Sequence, residues 1–265
     1  LPKIATDGNE TMVKLLLEKD GINLNSKDTE DGRTPLYATM KGHESVVRLL
    51  IKRGVNVTVA DNHGVTALHL AARGVYTAIL RLLLGGGALI EARMTLIDGS
   101  TDRSRRTPLH WATIEGQIGS MAALLDAGAQ VDAINAWNRT PLHLAARFGD
   151  DEAVKLLVER NSYLEARCDT NETPLHFAVE ENRYSVAQIL LDSGADINAK
   201  SDRGTPLQYA NSLGHKKLRS YCYFGELDIK LWRITDLTPR VKGTHRHLIP
   251  KDSCEKIVST QEGMT

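Results

Sequence analysis

Thr140-Pro141-Leu142-His143-Leu144-Ala145-Ala146-Arg147 is the stretch on which the reading of this 265-residue chain turns. A Thr is placed to cap a helix, because its side-chain oxygen accepts one of the N–H groups that the first turn leaves free. The Pro that follows has no N–H to lose and a φ already suited to that turn. Leu142, Ala145 and Ala146 then give a short helix with small residues on one face, so a neighbouring helix can approach closely. Gly149 stops the helix, and Val154, Leu156, Leu157 and Val158 recur at helical spacing in a second one.

The same phrase returns along the chain. Thr34-Pro35-Leu36, Thr66-Ala67-Leu68, Thr107-Pro108-Leu109, Thr140-Pro141-Leu142, Thr173-Pro174-Leu175 and Thr205-Pro206-Leu207 stand about 33 residues apart, with one wider gap before Thr107. Four of them continue with His, at His69, His110, His143 and His176. A Gly follows near the end of the first helix (Gly116, Gly149, Gly214, and one place earlier Gly42 and Gly74). A Gly-Ala turn with an alternating tail closes the unit, as in Gly128-Ala129-Gln130-Val131-Asp132-Ala133 and Gly194-Ala195-Asp196-Ile197-Asn198-Ala199. One such unit has too little core to stand alone, so its stability must come from stacking on its neighbours.

These landmarks resemble the ankyrin repeat over about residues 5 to 220, most closely in Thr140 to Arg147 and in Leu190 to Ala199. The resemblance implies an all-α fold, a solenoid of stacked helix-turn-helix units with β-hairpin-like fingers. Residues 1–33 read as a truncated first repeat, 34–223 as repeats of which the last is a C-terminal cap, and 224–265 as a non-repeat tail. That tail is expected to be partly packed on the cap, through Leu227, Ile229, Leu231, Trp232 and Ile234, and partly flexible. Two units depart from the pattern. The one at Thr34 is a residue short before Gly42, which should distort its first helix, and the one at Thr66 carries extra length between Ala92 and Thr107. A start inside a repeat suggests part of a larger polypeptide. Val13-Lys14-Leu15-Leu16-Leu17-Glu18-Lys19-Asp20-Gly21 resembles the long arrays of filamentous fungi, which implies a eukaryotic protein of the cytoplasm or nucleus.

Composition bounds the function. The 33 acidic residues balance the 33 basic ones, so the basic footprint that nucleic acid or an anionic membrane surface requires is missing overall. No apolar run is long enough to span a bilayer, and no secretory signal opens the chain. Cys168, Cys222 and Cys254 are too scattered for a disulfide framework or a Cys-x-x-Cys pair. Of the Asn-x-Thr sequons at Asn9, Asn56, Asn138 and Asn171, three fall at turns, where Asn serves the backbone directly. Zinc ligands must converge within about 2.1 Å of one ion, whereas stacked helices lie about 10 Å apart, so the His series reads as structural. Gly85-Gly86-Gly87 lacks the Lys-Ser/Thr of a phosphate loop, and His43-Glu44 lacks the second His of a zinc protease. The expected protein is therefore not an enzyme, and needs no cofactor, metal, small-molecule substrate, nucleic acid or membrane partner.

The resemblance implies that fingers and first helices line a concave face that meets another protein. Non-consensus residues on that face, Arg103, Arg106, Ile114, Trp137, Arg139, Arg147 and Phe148 with the acidic Asp169, Glu172, Glu180 and Glu181, form the expected contact, a basic and aromatic half beside an acidic half. Trp and Arg are the types enriched at binding hot spots. The rival reading of Trp137 is internal support, packed against the long insertion. An alternative function, substrate adaptor for a ubiquitin ligase or other enzyme complex, draws on the tail, where His247-Leu248-Ile249-Pro250 with Cys254, Ile257 and Val258 resembles the opening of an F-box.

Overall fold

A computed structural model describes residues 1–19, 21–94 and 105–226. Among them are thirteen α-helices and one 3₁₀ helix, arranged in pairs. The pairs are α1 (Pro2–Thr6) with α2 (Glu10–Leu17), the 3₁₀ helix (Pro35–Lys41) with α3 (Glu44–Lys52), and α4 (Ala67–Arg73) with α5 (Thr77–Gly85). Then come α6 (Pro108–Ile114) with α7 (Ile118–Asp126), α8 (Pro141–Phe148) with α9 (Asp151–Glu159), α10 (Pro174–Glu180) with α11 (Tyr184–Asp192), and α12 (Pro206–Ser212) with α13 (Lys216–Glu226). Each first helix packs on the first helix of the next pair, and the second helices from α2 to α11 form a parallel row behind them. No described helix is long and apolar enough to cross a membrane. Arg103 and the tail from residue 227 onward lie outside the described residues.

The Thr-x-Leu phrase explains the stack. Leu36, Leu68, Leu109, Leu142 and Leu175 are buried at equivalent positions, and so are Leu50, Leu83, Leu124, Leu157 and Leu190 in the second helices. Ala71, Ala112, Ala145, Ala178 and Ala210 are completely buried where first helices meet. A methyl group there lets the helices close up, so the apolar side chains of all the pairs join in one continuous core.

The short unit at Thr34 has a distorted first helix, as its length predicts. Its first helix is 3₁₀, the tighter form that fits fewer residues between Thr34 and the left-handed Gly42, whose φ is 74°. The equally short unit at Thr66 keeps an α-helix and absorbs the difference in Gly74, which is extended at φ −92° and ψ 171°.

The fingers are tight turns, and the hairpin character expected of them is slight among the described residues. It amounts to the isolated bridges Ala60–Thr66 and Ser201–Gly204. Side chains hold the turns instead: Asn135 Oδ1 accepts from the N–H of Trp137 (2.9 Å) and of Arg139 (3.0 Å), as Asp61 does from His63 and Val65. Neighbouring fingers are tied by Asp169 N–H to the Trp137 carbonyl at 3.1 Å and by Asn138 Nδ2 to Asp169 Oδ1 at 2.7 Å. Asn171 repeats this with Asp202 at 2.7 Å. Asn138 and Asn171 have positive φ, and Asn9 caps α2, so three of the sequon asparagines have structural tasks.

Candidate partner-binding face

The face is positioned by a repeated Thr–His unit. In the segment beginning at Thr140, the Thr140 N–H donates to His143 Nδ1 at 3.1 Å and the Thr140 hydroxyl lies 2.9 Å from the same nitrogen. A backbone N–H only donates, so Nδ1 is unprotonated and the ring's proton sits on Nε2. Nε2 then donates to the Glu172 carbonyl in the next finger, at 3.1 Å. His69 reaches the Arg106 carbonyl (3.1 Å), His110 the Arg139 carbonyl (3.0 Å) and His176 the Gly204 carbonyl (3.0 Å) in the same way. Burial pushes the pKa of His69, His110 and His143 down to about 4, and that of His176 down as well. Both ring nitrogens are occupied in each, which leaves no lone pair for a metal.

Each histidine therefore pins the residue that precedes the next capping Thr. Those residues form a column: Arg106, Arg139, Glu172 and Gly204. Beside it runs a row of aromatics four places after the Thr, Trp111, Phe177 and Tyr209, packed edge-on against His69, His143 and His176 with ring centres 5.6, 5.4 and 5.1 Å apart. The Arg139 guanidinium lies 4.9 Å from the Phe177 ring centre and 5.8 Å from that of Trp137. Arg73 lies 5.7 Å from the centre of Trp111.

Glu172 requires a correction. It was expected among the surface acids, but it is only 5% exposed. Its Oε1 accepts from the Tyr209 hydroxyl and its Oε2 from the Thr170 hydroxyl, both at 2.6 Å, while Arg203 stands 3.5 Å away. Burial alone would raise its pKa, but these hydrogen bonds and the Arg203 charge hold it below the usual carboxylate value. The Tyr209 hydroxyl, buried and bound to that carboxylate, is pushed up to about 12. The cluster locks the last two units together, and its carboxylate is spent inside the fold.

Trp137 is half-buried on its finger with Arg139 over it, and Arg106 and Ile114 are also partly exposed. Arg147 and Phe148 are exposed at the end of α8, Phe148 to 48%. The expected basic and acidic halves are joined: Arg147 pairs with Glu181 at 3.2 Å, and Glu180 with Arg203 at 2.8 Å. Asp169 is exposed and accepts from Asn138. The pair Arg73–Glu115, at 3.1 Å, was missed in the sequence. It was recoverable by aligning the units, since Arg73 and Arg147 both stand seven places after their Thr and Glu115 and Glu181 both eight. Among the described residues no three His, Cys, Asp or Glu side chains converge on a point suited to a metal ion.

Comparison with known proteins agrees with this geometry. The family described as "Ankyrin repeats (3 copies)" matches residues 3–94, 130–201 and 163–222, and "Ankyrin repeat" matches 104–136. Among curated proteins, the chain is 38% identical over 92 residues to palmitoyltransferase Hip14 of Drosophila melanogaster, 35% of this chain and 13% of that one. It is 31% identical over 132 residues to the transient receptor potential cation channel subfamily A member 1 homolog of Caenorhabditis elegans, covering 49% and 10%. It is 30% identical over 164 residues to the probable E3 ubiquitin-protein ligase XBOS33 of Oryza sativa subsp. japonica, covering 49% and 31%. The chain thus spans less than a third of the length of each of these relatives. With family matches over most of its length and the Thr–His ladder linking successive pairs, this chain belongs to the ankyrin-repeat family.

Proposed function

We propose that this chain is a non-catalytic module that holds a protein partner on its concave face, centred on the units beginning at Thr107 and Thr140. Ankyrin repeats are protein-interaction modules. The observation that carries the reading is the half-exposed Trp137 with the Arg139 guanidinium over its ring. The repeat obtains its caps from Thr, its inter-unit bonds from His and its core from Leu and Ala, and none of these uses the Trp137 ring. The Trp137–Arg139 pair combines the large rigid area and the directed cation that dominate binding energy at interfaces. Phe148, exposed at the end of α8, extends the same unit's apolar surface. In this reading the contact comprises Arg106, Ile114, Trp137, Arg139, Arg147 and Phe148, with Glu180 and Glu181 at its acidic border.

The test is affinity purification with the 265-residue chain as bait, beside Trp137→Ala with Phe148→Ala. Proteins retained by the wild type and reduced at least tenfold on the variant support the module. Identical retention removes this face as the binding site. A second reading, an adaptor that brings a partner to an enzyme, is favoured by the ligase and transferase relatives. Capture of a ubiquitin-ligase component by residues 236–265, lost on their removal, is its test.

A further inference from the structure

We propose that the concave face takes an acidic segment of its partner in the polyproline II conformation, with Arg106 and Arg139 each holding one of two carboxylates three residues apart. The inference rests on the module reading above and names the chemistry of the partner.

Four observations converge on it. First, the two arginines are equivalent residues of successive units, and their backbones are pinned alike by His69 at 3.1 Å and His110 at 3.0 Å. Second, they have no counter-ion among the described residues. Arg73, Arg147 and Arg203 on this face are matched by Glu115, Glu181 and Glu180, whereas no carboxylate among the described residues pairs with Arg106 or Arg139. The Nε of each is buried, so a carboxylate arriving from outside can meet only the terminal guanidinium nitrogens. The charges are felt locally: after burial itself, Arg106 is among the causes that lower the pKa of His110, and Arg139 among those that lower that of His143.

Third, the spacing selects a conformation. Packed helices stand about 8–10 Å apart. A polyproline II segment has three residues per turn and rises about 3.1 Å per residue, so residues i and i+3 lie on one side about 9 Å apart. A β-strand places i and i+3 on opposite sides and does not fit. Fourth, aromatic rings border the two cations: Trp137, half-exposed, beside Arg139, and Trp111, partly exposed, in the unit that Arg106 precedes. Segments of this conformation dock on such rings at little entropic cost, because they are ordered beforehand. Planar guanidinium is also the side chain best shaped to receive a carboxylate on two parallel N–H bonds.

The experiment measures fluorescence anisotropy of the 265-residue chain with a fluorescein-labelled peptide Pro-Pro-Glu-Pro-Pro-Glu-Pro-Pro at low salt. Binding is expected, weakened at least tenfold when both Glu become Gln, and weakened similarly when the two Glu are separated by one Pro. Arg106→Gln and Arg139→Gln are each expected to lose about tenfold, while Arg106→Lys and Arg139→Lys lose less. Circular dichroism melts matching the wild type establish that the variants are folded. Absence of binding, indifference to the Glu spacing, or wild-type affinity in the folded Gln variants overturns the proposal. An oligothymidylate bound as tightly through the same arginines also overturns it, in favour of a general anion surface. Because the module is tested at Trp137 and Phe148, a partner lost there but retained by the arginine variants leaves the module standing and removes only this inference.

Discussion

His143 shows how much one side chain does here. It closes the N-terminus of its own helix through Thr140 and holds the next finger through the Glu172 carbonyl. Gln208, its counterpart in the unit at Thr205, accepts the Thr205 N–H at 2.8 Å and so performs the first task alone. His143→Gln is therefore expected to keep the cap and lose the inter-unit bond, at a cost of about 1–3 kcal/mol for a buried carbonyl left unpaired. Urea denaturation at neutral pH measures this. The row also sets a pH dependence. The folded pKa of these histidines, about 4 for three of them, lies below the unfolded value of 6.5. The unfolded chain takes up protons first, so their contribution is complete above about pH 6.5 and is lost as pH falls toward 4. Each histidine adds a slope of about 1.4 kcal/mol per pH unit in that window. Denaturation midpoints should be level between pH 7 and 8 and fall steadily from 6.5 to 4; a flat profile there would show that the rings are not held neutral.

Glycine follows most of the first helices and also the second helix α3, for two reasons that separate experimentally. Gly42 and Gly54 both have positive φ, 74° and 80°, so Ala at either strains the backbone by about 1 kcal/mol. At Gly54 an added Cβ meets nothing, whereas at Gly42 it falls 2.3 Å from the Tyr76 ring of the next pair. Gly42→Ala should therefore cost about 1–3 kcal/mol more than Gly54→Ala, because the ring must leave its place. Thermal melts of the two variants give the comparison. Most of each helix pair was legible beforehand, since Thr caps, Pro first turns and apolar spacing act over three or four residues. The 3₁₀ form at Thr34 was signalled only as a shortage of one residue, and the equal shortage at Thr66 was resolved in another way by Gly74.

Along the stack, each pair touches the pairs before and after it, so stability is passed between neighbours. Leu124, fully buried in α7, belongs to the middle of the array. Leu124→Ala is expected to cost about 2–5 kcal/mol. Amide exchange should quicken chiefly in the pairs beginning at Thr66, Thr107 and Thr140 while α12 and α13 change least. Uniform loss of protection from α1 to α13 would instead show that the stack unfolds as one unit.

The repeat period, the helix pairs, their caps and the leucine and alanine core could all be read from residue order, because the residues that specify each of them lie within one unit and that unit recurs. Which residues of the face remain free for a partner could not. Arg139 and Glu172 occupy the same place in successive units, yet one is partly exposed over Phe177 and the other is buried against the Tyr209 hydroxyl. The difference lies in a side chain more than thirty residues away, on the first helix of the next unit, and only folding brings it near. The same holds for Arg147 and Glu181, assigned to opposite halves of the face and found paired. Local hydrogen bonds define the unit, while the charge that survives on its surface depends on what the neighbouring unit supplies.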